Sequence, residues 1–106
     1  MTSDIKDGTL YFDGCDTTEL AKKYGTPLYV ISAKMIKDKF AQLQEEFISK
    51  YPKARVAYAC KAFCTKEMLR LCAREGVSID VVSGGELYTA MAVDFPPERI
   101  EFNGNN

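Results

Sequence analysis

Arg55-Val56-Ala57-Tyr58-Ala59-Cys60-Lys61-Ala62-Phe63 is a short apolar run with a single lysine near its end. It reads as a strand, and a helical pattern opens shortly after it, at Thr65. The other lysines and arginines of the chain sit among polar neighbours, at turns, or on the exposed side of a helical pattern. A charged amine in apolar surroundings is costly, and the usual relief is a lowered pKa or a partner. A neutral amine is also what a Schiff-base nucleophile needs. Lys61 is therefore the first candidate for a chemical role.

Working outward, the same strand-and-helix unit recurs. Met68, Leu69 and Cys72 form an inward stripe behind a Thr65 cap, and Gly76 stops the helix. Val77-Ser78-Ile79-Asp80-Val81-Val82 is a second apolar strand, and Ser83-Gly84-Gly85-Glu86 opens a helix that Phe95-Pro96-Pro97 ends. Arg99-Ile100-Glu101-Phe102 is a third strand, leading into Asn103-Gly104-Asn105-Asn106. Tyr58, Asp80 and Phe102 are evenly spaced and stand as equivalent strand positions. Strands apolar on both faces and alternating with helices indicate a parallel sheet. In such folds Lys61, the Asp80-to-Ser83 region and Asn103 fall at the C-terminal strand ends, where loops converge and active sites collect.

The residues before this repeat follow another pattern. Thr9-Leu10-Tyr11-Phe12 is a strand between the turn signals Asp7-Gly8 and Asp13-Gly14. Asp16-Thr17-Thr18-Glu19 has capping-box form and starts a short helix that Gly25 stops. Leu28-Tyr29-Val30-Ile31 reads as a compact strand. From Ser32 onward Ile36, Phe40, Leu43 and Phe47 occupy one face of a longer helix, which Tyr51-Pro52 closes.

Composition narrows the classes. The chain has 106 residues, 46% hydrophobic and 27% charged, with a net charge of -1. That balance gives no electrostatic case for nucleic acid or an acidic membrane. No apolar stretch approaches the roughly 20 residues of a membrane span, and the polar N-terminus lacks a signal-peptide core. A cytoplasmic setting follows as the default. Cys15, Cys60, Cys64 and Cys72 lack a second pair at ligand spacing, and the chain has no histidine. They read as free, mostly buried thiols rather than a metal site.

Five motifs taken in order carry a resemblance. Gly25-Thr26-Pro27-Leu28-Tyr29-Val30, Tyr58-Ala59-Cys60-Lys61-Ala62, Asp80-Val81-Val82-Ser83-Gly84-Gly85-Glu86-Leu87, Phe95-Pro96-Pro97-Glu98-Arg99-Ile100 and Asn103-Gly104-Asn105-Asn106 resemble the N-terminal part of the pyridoxal-phosphate (PLP) decarboxylases with an alanine-racemase-like barrel. The Asp-Val-Val-Ser-Gly-Gly-Glu string and the Asn-Gly-Asn-Asn end resemble the diaminopimelate branch of that family. The resemblance implies an α/β fold, the opening of a PLP-binding (β/α)8 barrel over residues 32–106. Residues 1–31 would contribute to a separate β-domain. It implies PLP as cofactor and decarboxylation of meso-diaminopimelate to L-lysine and carbon dioxide. The partner would be a small amino-acid substrate, and the full-length protein a homodimer. Ornithine, arginine or carboxynorspermidine as substrate, or a non-catalytic PLP-binding relative, remain as alternatives on the same fold. A small open α/β binding domain is the reading without a cofactor.

Carried over by residue, Lys61 matches the lysine that binds PLP covalently. Asp80 matches an acidic residue close to that amine, Glu86 a second acidic position, and Asn103 a position at the pocket rim, with Asn105 beside it. Each has a plainer explanation. A strand-end lysine can reach solvent along its apolar stem, Asp80 can cap a turn, Ser83-x-x-Glu86 is itself a capping box, and asparagines favour turns. Where the family commonly has alanine or valine before the lysine and asparagine two after it, this chain has Cys60 and Phe63. The family's ring-stacking histidine, its glycine-rich phosphate segment and its C-terminal domain have no counterpart here. The 106 residues alone are therefore expected to be inactive and, as an unclosed barrel with open edges, prone to associate.

Overall fold

The computed structural model describes residues 3–104. The fold is α/β, and the chain divides into two compact units, Met1–Ile36 and Lys37–Asn106, with the division falling inside a helix.

The first unit is built on two tight turns. β1 (Ser3–Lys6), β2 (Thr9–Phe12) and β3 (Cys15–Asp16) form an antiparallel sheet in that order. Lys6 pairs with Thr9 and Phe12 with Cys15, leaving two-residue loops. Asp7-Gly8 and Asp13-Gly14 fill them with positive φ at both positions (51° and 79°, 49° and 78°). That is the conformation whose twist matches a hairpin, and it explains why Asp-Gly stands at both loops. Asp16 then caps α1 (Thr17–Tyr24), accepting from the Thr18 and Glu19 amides. The helix ends at Gly25, whose φ is 82°.

Sequence and structure part company at two places here. The polar Ser3–Lys6 segment is a strand, because the hairpin turn delivers it to β2 whatever its hydrophobicity. Leu28-Tyr29-Val30-Ile31 is not one: all four residues are exposed and make no ladder among the described residues. A strand exists only through its hydrogen-bonded neighbour, and β-propensity alone does not supply one. Buried Ser32 donates to the Asp13 carboxylate at 2.6 Å and accepts from the Met35 amide, which fixes the start of α2 (Ala33–Glu46). Ile36 and Phe40 on that helix are half-buried, while Leu43 and, just past its end, Phe47 are exposed.

The second unit holds the repeat. β4 (Ala57–Ala59), β5 (Ser78–Val81) and β6 (Ile100–Phe102) are parallel and adjacent in sequence order. α3 (Lys66–Arg74) links the first pair and α4 (Gly84–Ala92) the second. Both helices start on side-chain caps: Thr65 accepts from the Met68 amide and Ser83 from the Glu86 amide. Gly76, with φ of 72°, turns the chain out of α3 into β5.

The ladder corrects the repeat interval. Tyr58 pairs with Ile79 and Ile79 with Ile100, so each step is one residue shorter than the spacing of Tyr58, Asp80 and Phe102 suggests. Because side chains alternate across a strand, one residue of slip exchanges the two faces. Asp80 therefore lies beside Ala59 and Glu101, not beside Tyr58 and Phe102. The sheet is accordingly not apolar on both sides. Ile79 and Val81 are fully buried on the face that carries α3, with Leu69 and Cys72. The other face carries Ala57, Ala59, Ser78, Asp80 and Glu101, and from just before β4 Arg55 reaches across β5 to Glu101 at 2.9 Å.

This packing yields a direct test. Leu69 is fully buried, so Leu69→Ala leaves a cavity and should destabilise by about 2–5 kcal/mol. Leu43 on α2 is exposed, and Leu43→Ala should change stability by about 1 kcal/mol or less. Denaturant titration of both variants checks the ordering, and equal losses would contradict the assigned core.

Candidate active site

β4 stops at Ala59, and the chain turns through a single 3-10 turn, Cys60–Ala62. The Phe63 amide closes that turn on the Cys60 carbonyl at 3.1 Å. The turn rests against β5. It sends Cys60 inward, 1% exposed, and Lys61 outward. The sequence run suggests a lysine buried among apolar residues, and the structure corrects that. The apolar run is strand only to Ala59, and the tight turn hands the buried position to the thiol. The other half of the expectation concerns place, and Lys61 does stand just past the C-terminal end of a parallel strand.

Asp80 lies on β5 in register with Ala59, two residues before Lys61. Its Oδ1 is buried and, among the described residues, has no hydrogen-bond partner. Leaving a buried acceptor unmade costs about 1–3 kcal/mol, and more when it is charged. Lys61 and Asp80 form no ion pair among the described residues. The carboxylate is thus an acceptor awaiting a donor at the mouth of the sheet.

Glu86, in the first turn of α4, accepts from the Val82 amide at 2.9 Å while Ser83 caps the Glu86 amide. The reciprocal pair resembles a capping box whose return bond is displaced one residue toward the strand. Its work in this structure is to hold the exit of β5. Asn103 continues the ladder, its amide donating to the Val81 carbonyl at 2.9 Å, and its residue is exposed. Asn105 lies outside the described residues. Gly104 is a position that sequence reasoning passes over. A Cβ there would sit 2.8 Å from the Val82 carbonyl oxygen, so the exits of β5 and β6 approach as closely as they do only with glycine. The Asn-Gly pair, which reads as an ordinary turn, is the available signal.

Behind the Lys61 turn lies a cluster of thiols. Burial pushes Cys60 up to about 12 and Cys72 up to about 11, and raises Cys64, with the Glu86 carboxylate adding to the effect on Cys60 and Cys64. Tyr58 is also raised, mainly by burial. These groups are neutral hydrogen-bonding hydrophobes at neutral pH. Among the described residues no group of carboxylates and thiols is arranged to hold a metal ion. No helix among them is long and apolar enough to cross a membrane. A cleft of about 270 Å³ lies at the opposite, N-terminal ends of the strands, where Val56 and Val77 meet Phe40 and Ile48. It is remote from Lys61 and brings no nucleophile together.

Lys61 and Asp80 thus stand at neighbouring C-terminal exits of parallel strand-helix units. The chain belongs to the pyridoxal-dependent decarboxylases: the profile described as "Pyridoxal-dependent decarboxylase, pyridoxal binding domain" matches residues 33–106. It is 54% identical over 99 residues to the diaminopimelate decarboxylase of Bacillus subtilis, covering 93% of this chain and 23% of that one. It is 44% identical over 99 residues to that of Methanothermobacter thermautotrophicus, again over 93% of this chain and 23% of the relative. Among solved structures, the diaminopimelate decarboxylase of Methanocaldococcus jannaschii in complex with L-lysine superposes with a TM-score of 0.88 at 45% identity. That match covers 99% of this chain and 25% of the solved one. The chain thus spans about a quarter of the length of the relatives it matches.

Three expected outcomes follow from this geometry. Under native conditions at mildly alkaline pH an alkylating reagent should modify exposed Cys15 first and leave Cys60 and Cys72 until denaturant is added, as peptide mass mapping would read. An unfolded thiol ionises near 9, whereas folded Cys60 keeps its proton to about 12. Folding stability contributed by that difference is present below pH 9 and is lost as pH rises from about 9 toward 12. In addition, Asp80→Ala removes a buried acceptor without a partner. In protein free of PLP it should raise stability by about 1 kcal/mol or more, and a clear loss in thermal denaturation would mean that Oδ1 is already bonded.

Proposed function

We propose that this chain forms the start of the cofactor-binding barrel of a PLP-dependent decarboxylase that converts meso-diaminopimelate to L-lysine and carbon dioxide. The relatives are about four times as long, and the proposal concerns the reaction of a chain of that length. On this reading residues 32–106 open the barrel and residues 1–31 contribute to a separate β-domain. The protein would act in the cytoplasm as a homodimer on a small amino acid.

The observation that carries the reading is Lys61 at the exit of β4, beside a strand whose Asp80 holds a buried acceptor without a donor. Those residues fit the cofactor: the lysine amine would hold it through its aldehyde carbon, the aldehyde oxygen leaving as water, and a carboxylate nearby would balance positive charge on the lysine nitrogen. When bound, PLP supplies an electron sink for the pair left behind as a carboxylate departs.

The remaining work belongs to this chain. The short turn sets the point, at the exit of β4, from which the Lys61 side chain starts. Asp80, in register with Ala59, presents its carboxylate on the face away from α3, where a small neighbour leaves room. Glu86 fastens the exit of β5, and Gly104 lets the exit of β6 come close to it. Asn103, exposed just beyond β6, would meet a ligand at the rim. A carboxylate beside the amine would orient it through a hydrogen bond as the lysine exchanges with the substrate's amino group.

Incubation with PLP, borohydride reduction and peptide mapping should mark Lys61, and Lys61→Ala should remove the mark together with the visible absorbance of the bound cofactor. Reduction onto a different lysine would remove the assignment.

A further inference from the structure

Tyr58 stands three residues before Lys61, on β4. It pairs with Ile79, so it lies on the helix-covered face of the sheet, opposite to Asp80. Its surroundings agree: burial first, and then the neighbouring Cys72, Cys60 and Cys64, disfavour its ionisation, so the hydroxyl keeps its proton. That hydroxyl donates to the Phe63 carbonyl at 2.8 Å. Phe63 in turn donates its amide to the Cys60 carbonyl at 3.1 Å. Two bonds therefore close on Phe63, one from the turn itself and one from the strand that precedes it. Between them they enclose residues 59–63, with Lys61 at the centre.

The consequence is mechanical. A single 3-10 turn has one internal hydrogen bond and imperfect geometry, so by itself it frays readily. Lys61 is exposed and, among the described residues, bound to no carboxylate. Nothing on its own side chain limits where the amine goes. The backbone has to do so, and the Tyr58 hydroxyl ties the far end of the turn to the rigid ladder.

We propose that Tyr58 is a positioning residue for Lys61: its hydroxyl, by holding the Phe63 carbonyl, fixes the Cys60–Ala62 turn so that the lysine amine stays at the strand exit. This rests on the reading of Lys61 as the PLP-binding lysine. Tyr58 touches neither cofactor nor substrate in this role, and it acts through the turn alone.

Tyr58→Phe removes the hydroxyl and keeps the half-buried ring. Val77→Ala, just before the start of β5, serves as a control that lowers stability without touching the turn. Two readouts apply. The first is hydrogen exchange at the Phe63 amide without PLP, which should quicken on the order of fivefold in Tyr58→Phe, the usual worth of one net hydrogen bond, and stay near wild type in Val77→Ala. The second is the rate of borohydride trapping of PLP at Lys61 relative to trapping at exposed Lys37 in the same sample. That ratio should fall severalfold in Tyr58→Phe and hold in Val77→Ala. Wild-type rates for both readouts in Tyr58→Phe, or equal changes in the two variants, would overturn the proposal. If wild-type protein traps no PLP at Lys61, the proposed function fails, and the exchange measurement still decides what the hydroxyl holds.

Discussion

The parallel pairing of β4, β5 and β6 determines every other placement in the second unit. In the observed register Ile79 and Val81 face α3, while Asp80 shares the opposite face with Ala59 and Glu101. One residue of slip would drive a carboxylate into the apolar layer beneath the helices and bring Ile79 and Val81 out of it. Burying two aliphatic side chains is worth roughly 1.5–3 kcal/mol each, and an isolated buried carboxylate is penalised further. The hydrophobic layer thus sets the register, and the register carries the candidate chemistry to the far side.

The polar face is built with less margin. Arg55 and Glu101 bridge it, but both are about half exposed, and such pairs contribute at most about 1 kcal/mol. Asp80 stands there with a buried oxygen that nothing bonds among the described residues. A sequence selected for stability alone would place an apolar or small residue at that position. A carboxylate kept in that state is an ordinary mark of a functional position, where local stability is given up for a ligand contact.

Much of this is legible in the residues, and the reasons differ by element. The two Asp-Gly turns, the caps at Asp16, Thr65 and Ser83, and the stop at Gly76 are local devices, each decided by a few neighbouring atoms. Sequence reading finds them because no distant contact competes. Leu28-Tyr29-Val30-Ile31 shows the opposite case: its composition suits a strand, but strand formation depends on a partner. The even spacing of Tyr58, Asp80 and Phe102 matches residue positions by eye, whereas the ladder aligns backbones, so the apparent match is one residue out. Lys61 is placed at the right edge by its sequence and given the wrong burial, because so short a 3-10 turn has no periodicity to announce it. Gly104 escapes notice because its constraint is a close approach between two strand exits, visible only once both are in place.

The site is therefore a small construction on a well-defined layer. Buried thiols and Tyr58 fill the space behind the Lys61 turn, Glu86 fastens the exit of β5, and a carboxylate without a partner faces the open side. A crystal structure of the protein grown with PLP tests the central claim most directly. Continuous density from the Lys61 amine to the cofactor, with Asp80 on that same face and in register with Ala59, is the predicted result. Cofactor joined to another lysine, or Asp80 turned toward α3, would contradict it.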